Sequence, residues 1–213
     1  MFSLLIDCSH KMIFIGVFKN TNDWIYQRAF DRMPYEALND SLNHVLNKID
    51  VSIYDIDRIY LPCNPGSKLG IRLTSMLAQT LNSIIHGNIH IKYYNGLYLT
   101  ALVLGDLSKD NAWLITENGR NLWNAIEINS ELQDKPIIHC FDHETTTNFN
   151  NIVYYLPQPK NWGAPSVTVK EVVYQPELFL QFIDLIKSSK VDQCMLQKSS
   201  HSYIKWEKPK NQL

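Results

Sequence analysis

The chain has 213 residues, 45% of them hydrophobic, with 20 Lys and Arg against 21 Asp and Glu and a formal net charge of -1. That is enough apolar material for one large domain or two small lobes, and it excludes a disordered chain. The even charge balance argues against nucleic-acid binding by this chain acting alone, which needs clustered positive charge to displace counterions. Four cysteines, Cys8, Cys63, Cys140 and Cys194, follow no CxxC spacing, so they read as reduced thiols, mostly buried. Asp7 and His10 interrupt the first apolar run, and no other stretch approaches the roughly 20 apolar residues of a membrane span, so a cytoplasmic protein is expected.

Phe2 to Ile6 and Met12 to Phe18 read as a hairpin around a short polar turn, and Trp24 to Phe30 as a third strand. Pro34 suits the first turn of a helix, on which Leu38, Leu42, Val45, Leu46 and Ile49 share one face opposite Asn39, Asn43 and Asn47. Ile56 to Leu61 resumes the strand pattern and leads into NPGSKLGIRLTSMLAQTLNSII, residues 64 to 85. Here Pro65 and Gly66 make a turn and Ser67 is placed to cap a helix. On that helix Ile71, Leu73, Leu77, Ala78, Leu81, Ile84 and Ile85 cover about half the circumference, and Met76 widens the arc. A helix lying on a sheet needs only about 100°. The extra width predicts either deep burial or a surface for another subunit.

Ile89 to Tyr94 reads as a strand and GLYLTALVLG as an apolar helix. The polar segment Gly105 to Asn111 marks a boundary between lobes 1–107 and 108–213. Beyond it, strands are expected over Ala112 to Thr116, Leu122 to Ile128, Pro136 to Phe141 and Ile152 to Leu156, and a helix over Pro176 to Ser188. The sequence shows no internal repeat.

Asp7 with Ser9 two residues on, then a hairpin, then PGSxxGxR opening a helix that continues to Ala78 and Gln79, resembles the TsaB (YeaZ) family. The family pattern reads close to GPGSFTGVR followed by AQGLA, and it matches Pro65, Gly66, Ser67, Gly70, Arg72, Ala78, Gln79 and Leu81. The resemblance implies an α/β, actin-like (ribonuclease H-like) two-lobed fold of the acetate-and-sugar-kinase class, with mixed sheets flanked by helices. It also implies a non-catalytic subunit without cofactor or metal. Such a subunit would pair with the enzyme TsaD and the ATPase TsaE in threonylcarbamoyl transfer to adenosine 37 of tRNA. tRNA would be met only through the complex, and a homodimer could form when the partner is absent.

The expected partner interface is Arg72, Leu73, Met76, Leu77, Thr80, Leu81 and Ile84. If five apolar side chains of this helix were buried there, the gross gain would be on the order of 10 kcal/mol. Asp7, Ser9, Gly66 and Ser67 are the candidate phosphate or nucleotide contacts, because the fold class brings an Asp from the first hairpin to the phosphates and a helix N-terminus favours anions. The competing readings are a hairpin-stabilising carboxylate and a tight, capped turn. An alternative function is a small phosphotransferase using Asp7 and the Pro65–Gly66–Ser67 turn. Arg72 reads equally as a partner contact or an intrachain ion pair.

Departures from the family pattern are specific. Thr74, Met76 and Thr80 replace helix glycines and would hold a partner's backbone farther away. Pro34 replaces a histidine, Thr116 and Asn118 stand for an Asp and an Arg, and Gln197 or Lys198 for another Arg. His139, Cys140, Asp142 and His143 form the one cluster with metal-ligand chemistry, but strand geometry spaces them poorly for chelation. Trp113, Trp123, Trp162, Tyr154, Tyr155 and Tyr174 could stack bases, with core packing the simpler reading. The lysine-rich tail from Ser199 to Lys210 reads as a solvated terminus or an aid to tRNA binding in a complex.

Overall fold

The computed structural model describes residues 1–19, 23–107, 111–119, 122–133, 136–142, 149, 151–159 and 163–188. Trp162, His143, Cys194, Gln197, Lys198 and the tail from Ser199 to Lys210 lie outside the described residues.

The first half of the chain forms strands β1 (Phe2–Asp7), β2 (Ile13–Phe18) and β3 (Trp24–Phe30), helix α1 (Pro34–Lys48), β4 (Ile56–Asn64), helix α2 (Lys68–Ile84) and β5 (His90–Asn95). They make one sheet in the order β3-β2-β1-β4-β5. The β1–β2 and β2–β3 pairs are antiparallel, and β4 runs parallel to both β1 and β5. Helix α3 (Gly96–Leu107) then leads to β6 (Ala112–Gly119), β7 (Leu122–Ile128), β8 (Ile138–Asp142), β9 (Ile152–Tyr155) and the two-residue β10 (Lys170–Glu171). These pair in the order β10-β9-β6-β7-β8. Again the first three strands form an antiparallel meander, and the last two join it in parallel. The second sheet therefore repeats the strand order of the first, although the sequence carries no visible repeat.

Strand periodicity explains how the first sheet is covered. Side chains two apart share a face, so Leu4, Ile6, Ile13, Ile15, Val17, Ile59 and Leu61 point one way into a cluster with α1 and α2. Leu5, Phe14, Phe18, Tyr60 and Tyr94 point the other way. Their cover is α3 together with a 3-10 helix (Pro176–Phe182) that runs into α4 (Ile183–Ser188). The sequence reading of 176–188 as one helix thus holds in place but not in type, because its first seven residues are 3-10. Helix α3 is apolar all round, as a helix buried on every side must be. Its Leu97, Tyr98, Leu99, Ala101 and Leu102 share one core with Tyr60 of the first sheet and with Leu114, Ile126 and Ile128 of the second. Asn95 caps it, its Oδ1 accepting from the N–H groups of Leu97 at 2.9 Å and Tyr98 at 3.2 Å.

Among the described residues no helix is long and apolar enough to cross a membrane. Cys8 and Cys63 are buried thiols in no disulfide, as expected, whereas Cys140 is exposed on β8, the outer strand of its sheet. Burial, reinforced by the neighbouring Asp7 carboxylate, pushes the Cys8 thiol far above its ordinary pKa.

Candidate functional site

The motif stretch begins where β4 ends. Ser67 accepts at Oγ from the Gly70 N–H (3.2 Å), the cap expected from its chemistry. The Ser67 N–H in turn donates to the Ser9 carbonyl at 2.6 Å, so the start of α2 is tied to the turn that follows β1. Gly66 has φ +145, and a Cβ there would meet the Ser9 carbonyl oxygen at 2.4 Å. At Gly70 a Cβ would meet the Cys8 carbonyl oxygen at 1.8 Å. Both glycines of PGSxxGxR therefore let one backbone lie against another. A Ser67 N–H that already serves the Ser9 carbonyl is a donor withdrawn from any anion.

Asp7, at the end of β1, is 2% exposed, and both carboxylate oxygens are engaged. Oδ1 accepts from the Ser9 N–H (2.7 Å) and the Ser9 hydroxyl (2.6 Å). Oδ2 accepts from the hydroxyls of Tyr94 (2.5 Å) and Tyr174 (2.7 Å). Burial in the first place, and then the Asp7 charge, raises the pKa of both phenols well above the usual value, so both stay protonated as donors. Tyr174 reaches Asp7 across 167 residues. No spacing in the sequence joins the two, and among the aromatic residues read as base platforms or core, Tyr174 proves to be a buried strut.

His10 completes the network, stacked on Tyr174 with ring centroids 4.2 Å apart. Because the Ser9 hydroxyl hydrogen is directed to Asp7, the 2.9 Å contact between Ser9 Oγ and His10 Nδ1 assigns the ring hydrogen to Nδ1. Nε2 is then a bare acceptor, buried with no hydrogen-bond partner among the described residues. Desolvation lowers the His10 pKa from its ordinary 6.5, and the Asp7 charge only partly opposes this. A depressed histidine binds its proton more readily in the unfolded chain. Its contribution is complete above pH 6.5 and is lost as pH falls below that value through the folded-state pKa. Thermal melts between pH 7.5 and 5.5 should show a steeper fall in Tm for the wild type than for His10→Phe, which keeps the ring against Tyr174 but cannot titrate. Equal slopes would remove His10 from this account, since the other histidines are common to both proteins.

The outer side of α2 is the second part of the site. Its inner edge is Gly70, Ile71, Thr74 and Ala78, all buried. Leu73, Leu77 and Leu81 are half-buried against the core formed with α1 and β4. Leu69 (57% exposed), Met76 (64%) and Ile84 (50%) stand outward, seven and eight residues apart and so on one stripe. Arg72 and Thr80 are exposed beside them. The apolar arc is therefore divided between the molecule's own core and solvent. Thr74 requires a correction: it is 0% exposed and its hydroxyl donates to the Ile71 carbonyl (2.9 Å), so it cannot alter a partner's approach. Thr80 does face outward, its hydroxyl donating to the Met76 carbonyl (3.0 Å).

Several of the residues singled out on the second sheet are structural in their surroundings. Thr116 is buried and donates to the Leu156 carbonyl, while Glu117 accepts from the Tyr155 hydroxyl (2.9 Å). Trp123 is 3% exposed, and Trp113 lies in an aromatic cluster with His139, Phe141 and Phe149. His139, Cys140 and Asp142 follow one another on β8, and the described residues hold no group of three or more possible metal ligands.

Repeated meander-plus-parallel sheets with a helix-covered core define a two-lobed α/β protein of the actin-like class. Among solved structures the chain is similar to YeaZ from Pseudomonas aeruginosa, with a TM-score of 0.57 at 9% identity over 87% of this chain and 90% of that one. It is equally similar (TM-score 0.57, 10% identity) to an uncharacterized protein, itself described as similar to the peptidase YeaZ from Pseudomonas aeruginosa, over 88% of this chain and 93% of that one. No protein-family model matches the sequence, and no curated protein sequence does. The likeness is one of fold.

Proposed function

We propose that the chain is a non-catalytic scaffold subunit that docks a TsaD-type enzyme through the outer face of α2, in the cytoplasmic complex that places threonylcarbamoyl on adenosine 37 of tRNA. A TsaE-type ATPase completes the set, tRNA is engaged through the assembled complex, and the same face supports a homodimer when the partner is missing. The observation that carries this reading is the stripe of Leu69, Met76 and Ile84, exposed on a helix whose opposite face is fully packed. The YeaZ-like fold over 87% of the chain agrees with it. The Asp7 geometry weighs against a phosphotransferase, because the carboxylate such an enzyme would use already accepts four hydrogen bonds.

Magnitudes set a condition on the docking. Leu73, Leu77 and Leu81 already serve the chain's own core. Burying the three exposed side chains yields only about 5 kcal/mol gross, against a cost of association of about 4 kcal/mol or more. The partner must therefore also engage polar groups, among which Arg72 and Thr80 are exposed on the same helix. Met76→Glu is the discriminating variant. Its side chain is 64% exposed, so the fold should survive, whereas a charge at Leu77 would damage the core as well as the contact. Co-expressed with the TsaD-type subunit of the same source, Met76→Glu should bind at least tenfold more weakly than wild type by calorimetry. Unchanged affinity would overturn the proposed docking face.

A further inference from the structure

The even overall charge conceals a local imbalance at the end of the first sheet opposite Asp7. In the parallel β4–β5 pair, Arg58 is in register with His90 and Tyr60 with Lys92. Residues two apart on a strand share a face, so these four lie together on the face that carries α4. Lys187 of α4 closes the group. Between them is an open hollow of about 500 Å³, whose lining of Arg58, Tyr60, His90, Lys92 and Lys187 is completed by Tyr93 and Ile186. No carboxylate lines it.

Two carboxylates stand nearby. Asp57 lies 3.4 Å from Arg58, and Asp184 lies 3.5 Å from Lys187 with 79% of its side chain exposed. The Lys187–Asp184 pair is exposed and contributes little, about 0 to 1 kcal/mol, so Lys187 readily exchanges it for a better anion, while the Arg58–Asp57 pair is part-buried. Lys92 and His90 have no acidic partner among the described residues. Three permanent cations and a histidine thus face one hollow, which lies beside β5, the outermost strand of the sheet, and is open to solvent. The guanidinium can bind phosphate oxygens in a bidentate fork, and the ammonium groups act as point charges around it. Tyr60 forms a rigid floor, its ring packed on Phe18 and Phe179.

We propose that this hollow is a binding site for phosphate-bearing ligands, sized for a di- or triphosphate or for successive phosphates of a nucleic-acid backbone. It is separate from the Asp7 network and from the α2 stripe, and it does not depend on the docking partner. The test uses the full chain and two probes, magnesium-free ATP and a fluorescein-labelled tRNA, with affinity measured at two salt concentrations. At least one probe should bind saturably. Arg58→Ala/Lys92→Ala should weaken that binding at least tenfold, and with tRNA the log–log salt slope should fall by about one for each phosphate that the variant no longer neutralises. Lys92→Glu/Lys187→Glu alters only exposed side chains and should have the same effect if Arg58→Ala disturbs folding. Binding of ATP alone identifies a nucleotide as the source of the phosphate, and binding of tRNA alone identifies the backbone. Absence of saturable binding by both probes, or binding indifferent to both double variants, overturns the proposal.

Discussion

Replacing Gly70 by alanine should destabilise the protein by about 3 kcal/mol or more, although alanine is the better helix former by about 1 kcal/mol. The propensity gain is local, whereas the added methyl would lie 1.8 Å from the Cys8 carbonyl oxygen. That obstacle is backbone, held in place by the Ser67-to-Ser9 bond and by the Asp7 network on the other side of the turn. Relief requires α2 to move off β1, which would open the core shared by Ala78, Ile59 and Leu61. Urea unfolding should show a lower midpoint. A Gly163→Ala control, with nothing within 4 Å of the new Cβ and no positive φ, should leave the midpoint near that of the wild type. If Gly70→Ala were as stable as wild type, the two backbones would not be in contact.

Removing the Asp7 carboxylate should cost about 3 to 5 kcal/mol, a large share of the roughly 5 to 15 kcal/mol that a folded domain has in total. Asp7→Ala deletes the common acceptor of the Tyr94, Tyr174 and Ser9 hydroxyls and the Ser9 N–H, leaving buried donors unpaired. Tyr174→Phe removes one donor and leaves the carboxylate with three, so its loss should be nearer 1 kcal/mol. A carboxylate kept for phosphate or magnesium behaves oppositely, since its removal relieves charge and leaves stability unchanged or improved. Denaturant midpoints of the two variants therefore separate a strut from a ligand site without any assay of activity.

How far the sequence could be read follows from which interactions are local. The Pro65–Gly66–Ser67 turn, the Ser67 cap and the one-faced α1 depend on neighbours a few residues apart, and their chemistry is visible in the residue types. The partner of Gly70 is a carbonyl about 60 residues earlier in the chain, and the partner of Asp7 is a phenol 167 residues later. No periodicity encodes either. The arc of α2 shows the same limit. Counting apolar residues gave its width but not which edge meets the sheet, because Thr74 turns inward with its hydroxyl satisfied by Ile71. Leu69 falls at the end of the outer stripe, in the first turn beside the Ser67 cap and ahead of the apolar repeat that begins at Ile71. The hollow at Arg58 needed the β4–β5 register to become visible, since its cations are scattered along the sequence and balanced overall by acidic residues.

The return of residues 176–186 onto the first sheet bears on how the protein is made. When Leu107 has been synthesised, all five strands of that sheet exist, but Phe18, Tyr60 and Tyr94 still lack Phe179, which packs against each of them. The ribosome must add 72 further residues (179 minus 107) before that ring is available, roughly 4 to 15 seconds at ordinary elongation speeds. For that interval the nascent chain lacks the ring that covers these three aromatic side chains, and residues 176–186 close the face only when synthesis is nearly complete.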